Sequence, residues 1–331
     1  MTKKIRVGVV GVGHLGSLHA KMFSEMREVE FRGVFDIKDE TSRSVASEFG
    51  VIPYQTFAEL LENVDAISIA TPTSTHWKVA SKALETRVHA FIEKPLTQTV
   101  DEADRLVQLA SQHNVKIQVG HVERFNPALL ALEKYNLNPM FIESHRLAQF
   151  NPRGSDVPVV LDLMIHDIDI ILSLVNSPVV DIDANGVAVV SDSADIANAR
   201  IKFRSGCVAN VTASRISQRK MRKMRLFQRD AYISIDFSEG TAEVFRLVDA
   251  SEGAANSTML LGQIDAGARK RNIVYERPEI KEINALKYEL ELFIKAIQTD
   301  EQPIITAEDG KRALQVAQEI MARIRDQQIQ L

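Results

Sequence analysis

The sequence is short of cysteine, of long apolar runs and of net charge, and each shortage excludes a class of protein. Its 331 residues contain one cysteine, Cys207, so an intramolecular disulfide framework is excluded and a reducing compartment is favoured. The formal net charge of -4 provides no global attraction for nucleic acid or for an anionic membrane. No apolar run approaches the roughly 20 residues of a membrane-spanning helix. We therefore expect no nucleic-acid partner and no membrane partner.

The first residues show no secretion signal. Met-Thr-Lys-Lys leads directly into a strand pattern at Ile5, without the apolar segment of a signal peptide. The single cysteine lies in an apolar run, where a buried structural thiol is the more common state. Together these features predict a cytoplasmic protein.

The rest of the composition is that of a globular protein whose length suits two domains. Hydrophobic residues make up 45% and charged residues 25%, which are ordinary values. Up to residue 122, short β-branched runs alternate with helical spacing, which indicates a parallel sheet with helices on both faces. Beyond it, a helix pattern at 160–175 precedes several long strand patterns, which indicate a largely antiparallel sheet. We therefore expect an α/β protein with a doubly wound domain over 1–122 and a second α/β domain over 123–331.

The second part of the chain is predicted to end in a loop and two helices. Its strand patterns cover residues 179–190, 196–203, 208–214, 231–237 and 242–247. Residues 251–268 are poor in large apolar side chains, and we predict a loop there. Thr306 and Asp309 form a capping-box pattern at the start of the last helix. These C-terminal helices are free to pack back on the first domain.

A glycine motif stands between the first strand and the first helix. Gly11, Gly13 and Gly16 form Gly-x-Gly-x-x-Gly. In such a motif the first glycine permits a tight turn, the second lets the backbone approach a pyrophosphate, and the third lets the helix pack on the strand. The pyrophosphate then meets free N–H groups at the helix N-terminus. Because strand, glycines and helix occur in this order, we predict a dinucleotide site rather than a tight turn without a ligand.

Asp36 indicates which dinucleotide binds. It stands at the end of the second strand pattern, at the spacing of about 20 residues that such motifs show. A carboxylate there accepts hydrogen bonds from the adenosine ribose hydroxyls and repels a 2′-phosphate. This favours NAD over NADP, while Arg32 and Lys38 lie near enough in sequence to serve a phosphate.

Further motifs follow the glycine loop in a distinctive order. They are Ala-Thr-Pro-Thr at 70–73 with His76, Glu-Lys-Pro at 93–95, Gly-His-Val-Glu-Arg-Phe-Asn-Pro at 120–127, and Asp-x-x-x-His-x-x-Asp at 162–169. In this order they resemble the Gfo/Idh/MocA family, the glucose-fructose oxidoreductase and inositol dehydrogenase group, over essentially the whole chain. The resemblance implies a Rossmann domain and an open-faced mixed sheet that often forms a homodimer or homotetramer interface. It also implies reversible hydride transfer between NAD and a sugar or cyclitol carbon.

The resemblance places the cofactor contacts in the first domain. They are Gly11, Gly13, His14, Leu15, Gly16, Asp36, Thr71, Pro72, His76, Glu93 and Lys94. Lys94 matches the family's strand-end lysine, whose ammonium hydrogen-bonds the reacting hydroxyl and the nicotinamide ribose. A cation there stabilises the alkoxide that develops as hydride leaves. The alternative is a surface lysine in a loop before proline.

Three polar residues mark the predicted helix at 160–175. Asp162, His166 and Asp169 are spaced i, i+4 and i+7, so we expect them to share one face. His166 is the natural general base, because an imidazole takes a proton near neutral pH. Asp162 either holds the imidazole or binds a neighbouring substrate hydroxyl. A polar solvent face and a metal site are the alternatives, and the sequence leaves open whether Lys94 or His166 finally takes the proton.

Two further groups of residues are expected to contact substrate. Arg124 and Asn126 follow the last parallel strand and position either substrate or nicotinamide, or else form a salt bridge between domains. A dense basic stretch is a solvated strand edge, an oligomer interface or a diphosphate clamp. Within it, Arg215 and Arg219 are the residues that we expect to bind a diphosphate. The basic residues are Arg215, Arg219, Lys220, Arg222, Lys223, Arg225 and Arg229.

The resemblance extends to a substrate class. Val-Glu-Arg-Phe-Asn-Pro is similar to the same segment in family members that act on UDP-N-acetylhexosamines or their uronates. We therefore expect oxidation at the 3-position of a UDP-linked N-acetylhexosamine. An inositol or free-sugar dehydrogenase and a non-catalytic NAD sensor are the alternatives; the joint presence of Lys94 and His166 favours an enzyme. Binding of nucleic acid through the basic stretch is disfavoured by the acidic total.

Overall fold

The structure is a computed structural model that describes residues 4–151, 157–249, 258–266 and 269–328. The chain forms two compact units, and each contains two separate stretches of sequence. The first unit comprises Met1–Val122 and Asn284–Gln315. The second comprises Glu123–Ile283 and Val316–Leu331.

The first unit is built around a six-stranded sheet in the order β3-β2-β1-β4-β5-β6, with every pair parallel. Strand order reverses between β1 and β4, and open α/β sheets bind ligands beside the carboxyl ends of the strands at such a point. The elements are β1 Ile5–Val10, α1 His14–Glu25, β2 Val29–Phe35, α2 Asp39–Phe49, β3 Ile52–Pro53, α3 Phe57–Asn63, β4 Ala66–Ile69, α4 His76–Glu85, β5 His89–Glu93, α5 Val100–His113 and β6 Ile117–Gly120.

The sheet of the first unit is covered on both faces. Every residue of β4 and of β6 is buried, as expected for parallel strands between two layers of helices. Helix α5 begins with a capping box between Thr99 and Glu102 and ends at Asn114, which adopts the left-handed conformation. These local signals define where α5 begins and ends, and the buried strands form the middle layer between the helices.

The second unit contains a nine-stranded sheet in the order β14-β15-β13-β12-β11-β7-β10-β9-β8. Among the described strands the β7–β10 pair is parallel and the other pairs are antiparallel, which confirms the largely antiparallel prediction. The remaining elements of the chain are α6 Pro127–Leu130, β7 Phe141–Leu147, α7 Ile165–Leu174, β8 Val179–Val187, β9 Ile196–Phe203, β10 Val208–Ser214, β11 Met221–Gln228, β12 Ala231–Asp236, β13 Thr241–Asp249, β14 Thr258–Ala266, β15 Arg269–Glu276, α8 Ala285–Thr299 and α9 Ala307–Gln328.

Helix α8 completes the core of the first unit although it comes late in the chain. Leu290, Phe293 and Ile294 are buried and belong to the same hydrophobic cluster as Phe23 and Phe91. The rings of Phe91 and Phe293 meet edge to face, with centroids 5.9 Å apart. The spacing i, i+3, i+4 gives α8 the apolar stripe that this position requires.

Two expectations about the second unit are wrong. The predicted loop at 251–268 contains β14, Thr258–Ala266, whose apolar residues lie exposed at the edge of the sheet; residues 250–257 and 267–268 lie outside the described part. The strand predicted at 179–190 ends at Val187. It ends there because the buried Asp195 carboxylate accepts hydrogen bonds from the N–H groups of Val189, Val190 and Ser191 and draws them into a turn.

One face of the second sheet carries a row of aromatic rings. Five rings lie on neighbouring strands in direct register, and successive centroids are 5.0 to 5.6 Å apart. All five side chains are only partly buried, so this face is open in the single chain. The rings belong to Phe141, Phe227, Tyr232, Phe245 and Tyr275.

Across the described residues, no helix combines the length and the apolar character required to cross a membrane.

Candidate functional site

The glycine loop has the geometry that a dinucleotide requires. Gly11 has a φ of +80°, a conformation that other residues rarely adopt. A Cβ atom on Gly16 would lie 1.8 Å from the Gly11 carbonyl oxygen, so only glycine permits this approach of α1 to the loop. A Cβ atom on Gly13 would meet nothing within 4 Å. The open space above Gly13, at the N-terminus of α1, fits a pyrophosphate approaching the backbone, and His14 and Leu15 are exposed beside it.

Asp36 is held next to that loop. Its Oδ2 accepts a hydrogen bond from the Val12 N–H at 2.8 Å, and its Oδ1 accepts one from the Lys38 N–H at 2.9 Å. The remaining lone pairs of the carboxylate suit the ribose hydroxyls. Arg32, which the sequence left available for a phosphate, is paired with Glu30 at 2.6 Å. The local charge therefore favours NAD.

We expect the protein to use NAD(H) with a kcat/KM about tenfold or more above that for NADP(H). The Asp36 carboxylate repels a 2′-phosphate, and about 1.4 kcal/mol of repulsion is a factor of ten. Steady-state kinetics with both cofactors measure this. Asp36→Asn should narrow the preference, while Asp39→Asn, which removes an exposed carboxylate paired with Arg43, should leave it unchanged. A clear preference of the unmodified protein for NADP(H) would show that Asp36 does not serve the ribose.

His76 ties together the two loops that follow β4 and β5. Its Nδ1 lies 2.9 Å from the Pro95 carbonyl oxygen and its Nε2 lies 2.9 Å from the Thr71 carbonyl oxygen. Burial lowers the pKa of this imidazole below its ordinary value. Through these contacts the buried ring holds the loop that contains Thr71 and Pro72 in place. Direct contact of His76 with a cofactor stays a prediction.

The Glu-Lys-Pro tripeptide lies at the carboxyl end of β5. The buried Glu93 carboxylate lies 3.1 Å from His19 Nε2, and His19 Nδ1 lies 2.7 Å from the Ser68 hydroxyl. A Cβ atom on Gly120 would come within 2.9 Å of this carboxylate, so glycine is needed beside it. Lys94, the next residue, is only partly buried between buried neighbours. The network around Glu93 thus fixes the backbone from which Lys94 projects.

In the second unit, His166 lies near the start of α7. The helix predicted at 160–175 is a π-helical turn, Val160–Met164, followed by α7. Asp162 in the π turn and His166 in α7 are both partly buried. A π turn holds an extra residue and changes the direction of the side chains that it contains, and such turns are frequent at functional sites.

Asp169 has different surroundings from Asp162 and His166, because it is buried and they are only partly buried. It is buried and accepts hydrogen bonds from Arg124 Nε and Nη2 at 2.7 and 2.6 Å. Within the described residues, no group of three His, Cys, Asp or Glu side chains is arranged to hold a metal ion. Asp169 therefore anchors α7 from its buried side.

Residues 123–126 form a frame next to that anchor. Arg124 pairs with Asp169 within the second unit. Asn126 accepts a hydrogen bond from the Ala128 N–H at 3.1 Å, which caps α6, and donates one to the Phe237 carbonyl at 3.1 Å. These bonds give Arg124 and Asn126 structural tasks. Substrate contact by either stays a prediction.

The basic stretch contributes to a pocket of about 510 Å³ in the second unit. Asp162 and the cations Arg215, Lys220 and Arg222 line it. Arg219 is exposed in the described structure and does not line this pocket, so Lys220 and Arg222 take the position that we expected for it. The other lining residues are Leu147, Ala148, Gln149, Asn151, Leu163, Phe237 and Ser238.

Arg215 is buried and held in one orientation. Its Nη2 donates to the Val157 carbonyl, and its Nε lies 3.6 Å from Asp195 Oδ1. Burial alone would raise the pKa of Asp195, but the hydrogen bonds from Val190 and Val189 outweigh it and lower the pKa to about 2. A carboxylate that stays ionised keeps the Arg215 guanidinium oriented on one side of the pocket.

Sequence reasoning did not single out Glu123, Lys220 or Arg222 as site residues. The last two are part of the basic stretch, and the pairing of β11 with β7 brings Arg222 to the pocket. Glu123 stands in the motif at 120–127 and contacts arginines that are distant in sequence. Lys223 and Arg225 alternate with apolar Met224 and Leu226, and this alternation was the available signal for a strand.

Comparison with known proteins gives matches along nearly the whole chain. Residues 5–121 match the oxidoreductase family GFO_IDH_MocA, NAD-binding Rossmann fold, and residues 143–243 match the GFO/IDH/MocA C-terminal domain. A UDP-N-acetylglucosamine 3-dehydrogenase from Acidithiobacillus ferrooxidans is 36% identical over 321 residues, covering 97% of this chain and 97% of that protein. A solved structure of UDP-N-acetylglucosamine 3-dehydrogenase from that organism gives a TM-score of 0.86 at 35% identity, covering 97% of this chain and 98% of that one.

More distant matches include inositol dehydrogenases. A myo-inositol 2-dehydrogenase from Thermotoga maritima is 25% identical over 330 residues, covering 94% of this chain and 93% of that protein. A scyllo-inositol dehydrogenase structure from Lactobacillus casei covers 99% of this chain and 98% of that one, with a TM-score of 0.77 at 21% identity, which shows a shared fold.

Proposed function

Because the chain belongs to the Gfo/Idh/MocA family of NAD-binding oxidoreductases, we propose that it oxidises the 3-hydroxyl of a UDP-linked N-acetylhexosamine. The observation that carries the proposal is the pocket beside Asp162, which three cations line. A diphosphate is the part of such a substrate that needs cations, and arginine forks match phosphate oxygens. The similarity to a UDP-N-acetylglucosamine 3-dehydrogenase supports the same substrate class.

In the proposed reaction, the secondary alcohol loses its hydroxyl proton and its carbon-bound hydride and becomes a ketone. NAD, held by the glycine loop and Asp36, supplies the hydride acceptor when bound. His166 takes the hydroxyl proton, as a general base must. Lys94 donates a hydrogen bond to the oxygen as negative charge develops on it. Asp162, at the edge of the cationic pocket, accepts a hydrogen bond from a neighbouring sugar hydroxyl.

We expect Lys220→Ala to raise the KM for UDP-N-acetylglucosamine about tenfold while leaving kcat and the KM for NAD little changed. A charged hydrogen bond to a remote diphosphate contributes equally to ground-state and transition-state binding, and losing it costs on the order of 1.5 kcal/mol. The effect should shrink at high salt, because Lys220 is exposed.

Arg219→Ala is the matched control for this experiment. It removes one cation from the adjacent position outside the pocket and should leave the KM for the nucleotide sugar near that of the unmodified protein. Equal effects of the two substitutions would show that the basic stretch acts only through its overall positive charge. Turnover of inositol or a free hexose, with none of any UDP-sugar, would contradict the proposed substrate.

We also propose that the protein assembles as a homodimer or homotetramer through the aromatic face of the second sheet. That face presents Phe141, Phe227, Tyr232, Phe245 and Tyr275 in one partly exposed row, and aromatic side chains are enriched in protein interfaces.

We propose that the protein is located in the cytoplasm. Burial raises the pKa of the Cys207 thiol to about 11, so this cysteine stays a structural thiol.

A further inference from the structure

Two arginines stand side by side in the second sheet. The antiparallel register of β7 and β11 places Arg146 directly opposite Arg222. Like charges in directly opposed positions destabilise a sheet. Glu123 lies against both, since its Oε1 is 3.0 Å from Arg146 Nη1 and 3.3 Å from Arg222 Nη1. One carboxylate oxygen therefore serves as counter-ion to the whole pair.

The two arginines face different surroundings. Arg146 is buried and donates to both oxygens of Asp167, at 2.7 and 3.2 Å, directly beside His166 in α7. Burial alone would lower the pKa of the Arg146 guanidinium, but Asp167 and Glu123 outweigh it and raise that pKa above its ordinary value. Arg222 is 52% exposed and lines the cationic pocket. Glu123 thus joins a cation of the pocket to the ion pair beneath α7.

We propose that Glu123 is a positioning residue that acts as the resident counter-ion of Arg222 and yields it to the anionic group of the substrate. The inference rests on the proposed function, because it assigns the diphosphate to Arg222. Two carboxylates, Asp167 and Glu123, balance two guanidiniums in the structure. When an anion pairs with Arg222, the Glu123 carboxylate interacts with Arg146 alone. The full negative charge of Glu123 then stabilises the Arg146 guanidinium, which pairs with Asp167 of α7.

The proposal predicts opposite effects of one substitution on binding and on turnover. Glu123→Gln keeps the length of the side chain and removes its charge. UDP should then bind about threefold to tenfold more tightly, because the anion that competes for Arg222 is gone. The kcat with UDP-N-acetylglucosamine should fall by about tenfold, because Arg146 beneath α7 loses part of its counter-charge. A purely structural role for Glu123 would weaken binding and stability together and would not tighten UDP binding.

The experiment measures UDP binding by calorimetry and kcat and KM by steady-state kinetics. Arg222→Gln should weaken UDP binding about tenfold, since a charged partner of the diphosphate is lost. Glu143→Gln is the matched control, because Glu143 pairs with Arg225 at 3.2 Å across the same two strands on the opposite face. It should change neither UDP binding nor kcat. UDP binding that is unchanged or weaker in Glu123→Gln overturns the inference.

Two further outcomes separate this inference from the proposed function. If the unmodified protein neither binds UDP nor oxidises a UDP-sugar, the proposed function fails. Inorganic pyrophosphate then replaces UDP as the probe for the further inference. The rise in Tm that pyrophosphate causes must be larger in Glu123→Gln than in the unmodified protein. If Glu123→Gln does not fold, the double variant with Arg222→Gln removes the like-charge conflict and should fold. Its kcat must lie below that of Arg222→Gln alone, and equal values overturn the inference.

Discussion

Replacing Lys94 with alanine is expected to lower kcat by about a hundredfold to a thousandfold while NADH still binds. The ammonium at the end of β5 matters most when negative charge develops on the substrate oxygen, and a donor aimed at such an oxygen contributes on the order of 10² to 10³ in rate. The network of Glu93, His19 and Ser68 holds the backbone at this position without Lys94, so the glycine loop should remain intact.

Two measurements test this expectation for Lys94. Fluorescence titration with NADH should give a dissociation constant within about threefold of the unmodified value, and steady-state kinetics should show the loss in kcat. Lys82→Ala, which removes an exposed lysine of α4, should retain full turnover. Near-normal turnover by Lys94→Ala would remove Lys94 from the mechanism.

Replacing His166 with asparagine is expected to lower kcat by about a thousandfold, within the range that general bases contribute. Asparagine is close to histidine in size and cannot take the proton, and the arginine anchors at Asp167 and Asp169 still hold α7. The residual activity should also lose the fall at low pH that an imidazole base produces as it becomes protonated.

The pH profile of kcat distinguishes this role from a structural one. His145→Asn, on the partly exposed face of β7, should keep both the rate and the low-pH limb. If His166→Asn retains that limb, a different group takes the proton. A loss for Lys94→Ala together with normal turnover for His166→Asn would assign proton transfer to Lys94.

Features set by neighbouring residues could be predicted from the sequence. The glycine loop depends on Gly11 adopting a positive φ and on Gly16 meeting the Gly11 carbonyl, and both requirements lie within one turn of chain. The capping box of Thr306 and Asp309 is equally local and is present in the structure. The strands at Ile196–Phe203 and Val208–Ser214 have simple alternation and were predicted with their full lengths.

Features that depend on distant partners could not be predicted. The spacing of Asp162 and Asp169 does not show that Asp169 is buried against Arg124 while Asp162 lines the pocket, because both depend on residues that are distant in sequence. Arg222 becomes a pocket residue because β11 pairs with β7, which lies far away in the sequence. An inventory of basic residues carries no information on that register, so Arg219 was expected where Lys220 and Arg222 lie.

The late arrival of α8 has a consequence for the synthesis of this protein on the ribosome. Phe293 and Leu290 fill the core beneath Phe91, so the nascent cofactor domain lacks part of its interior until nearly the whole polypeptide has been translated. Domains usually fold in the order in which they emerge. Here the glycine loop is translated among the first residues, but the domain that contains it cannot complete its core until α8 has been translated.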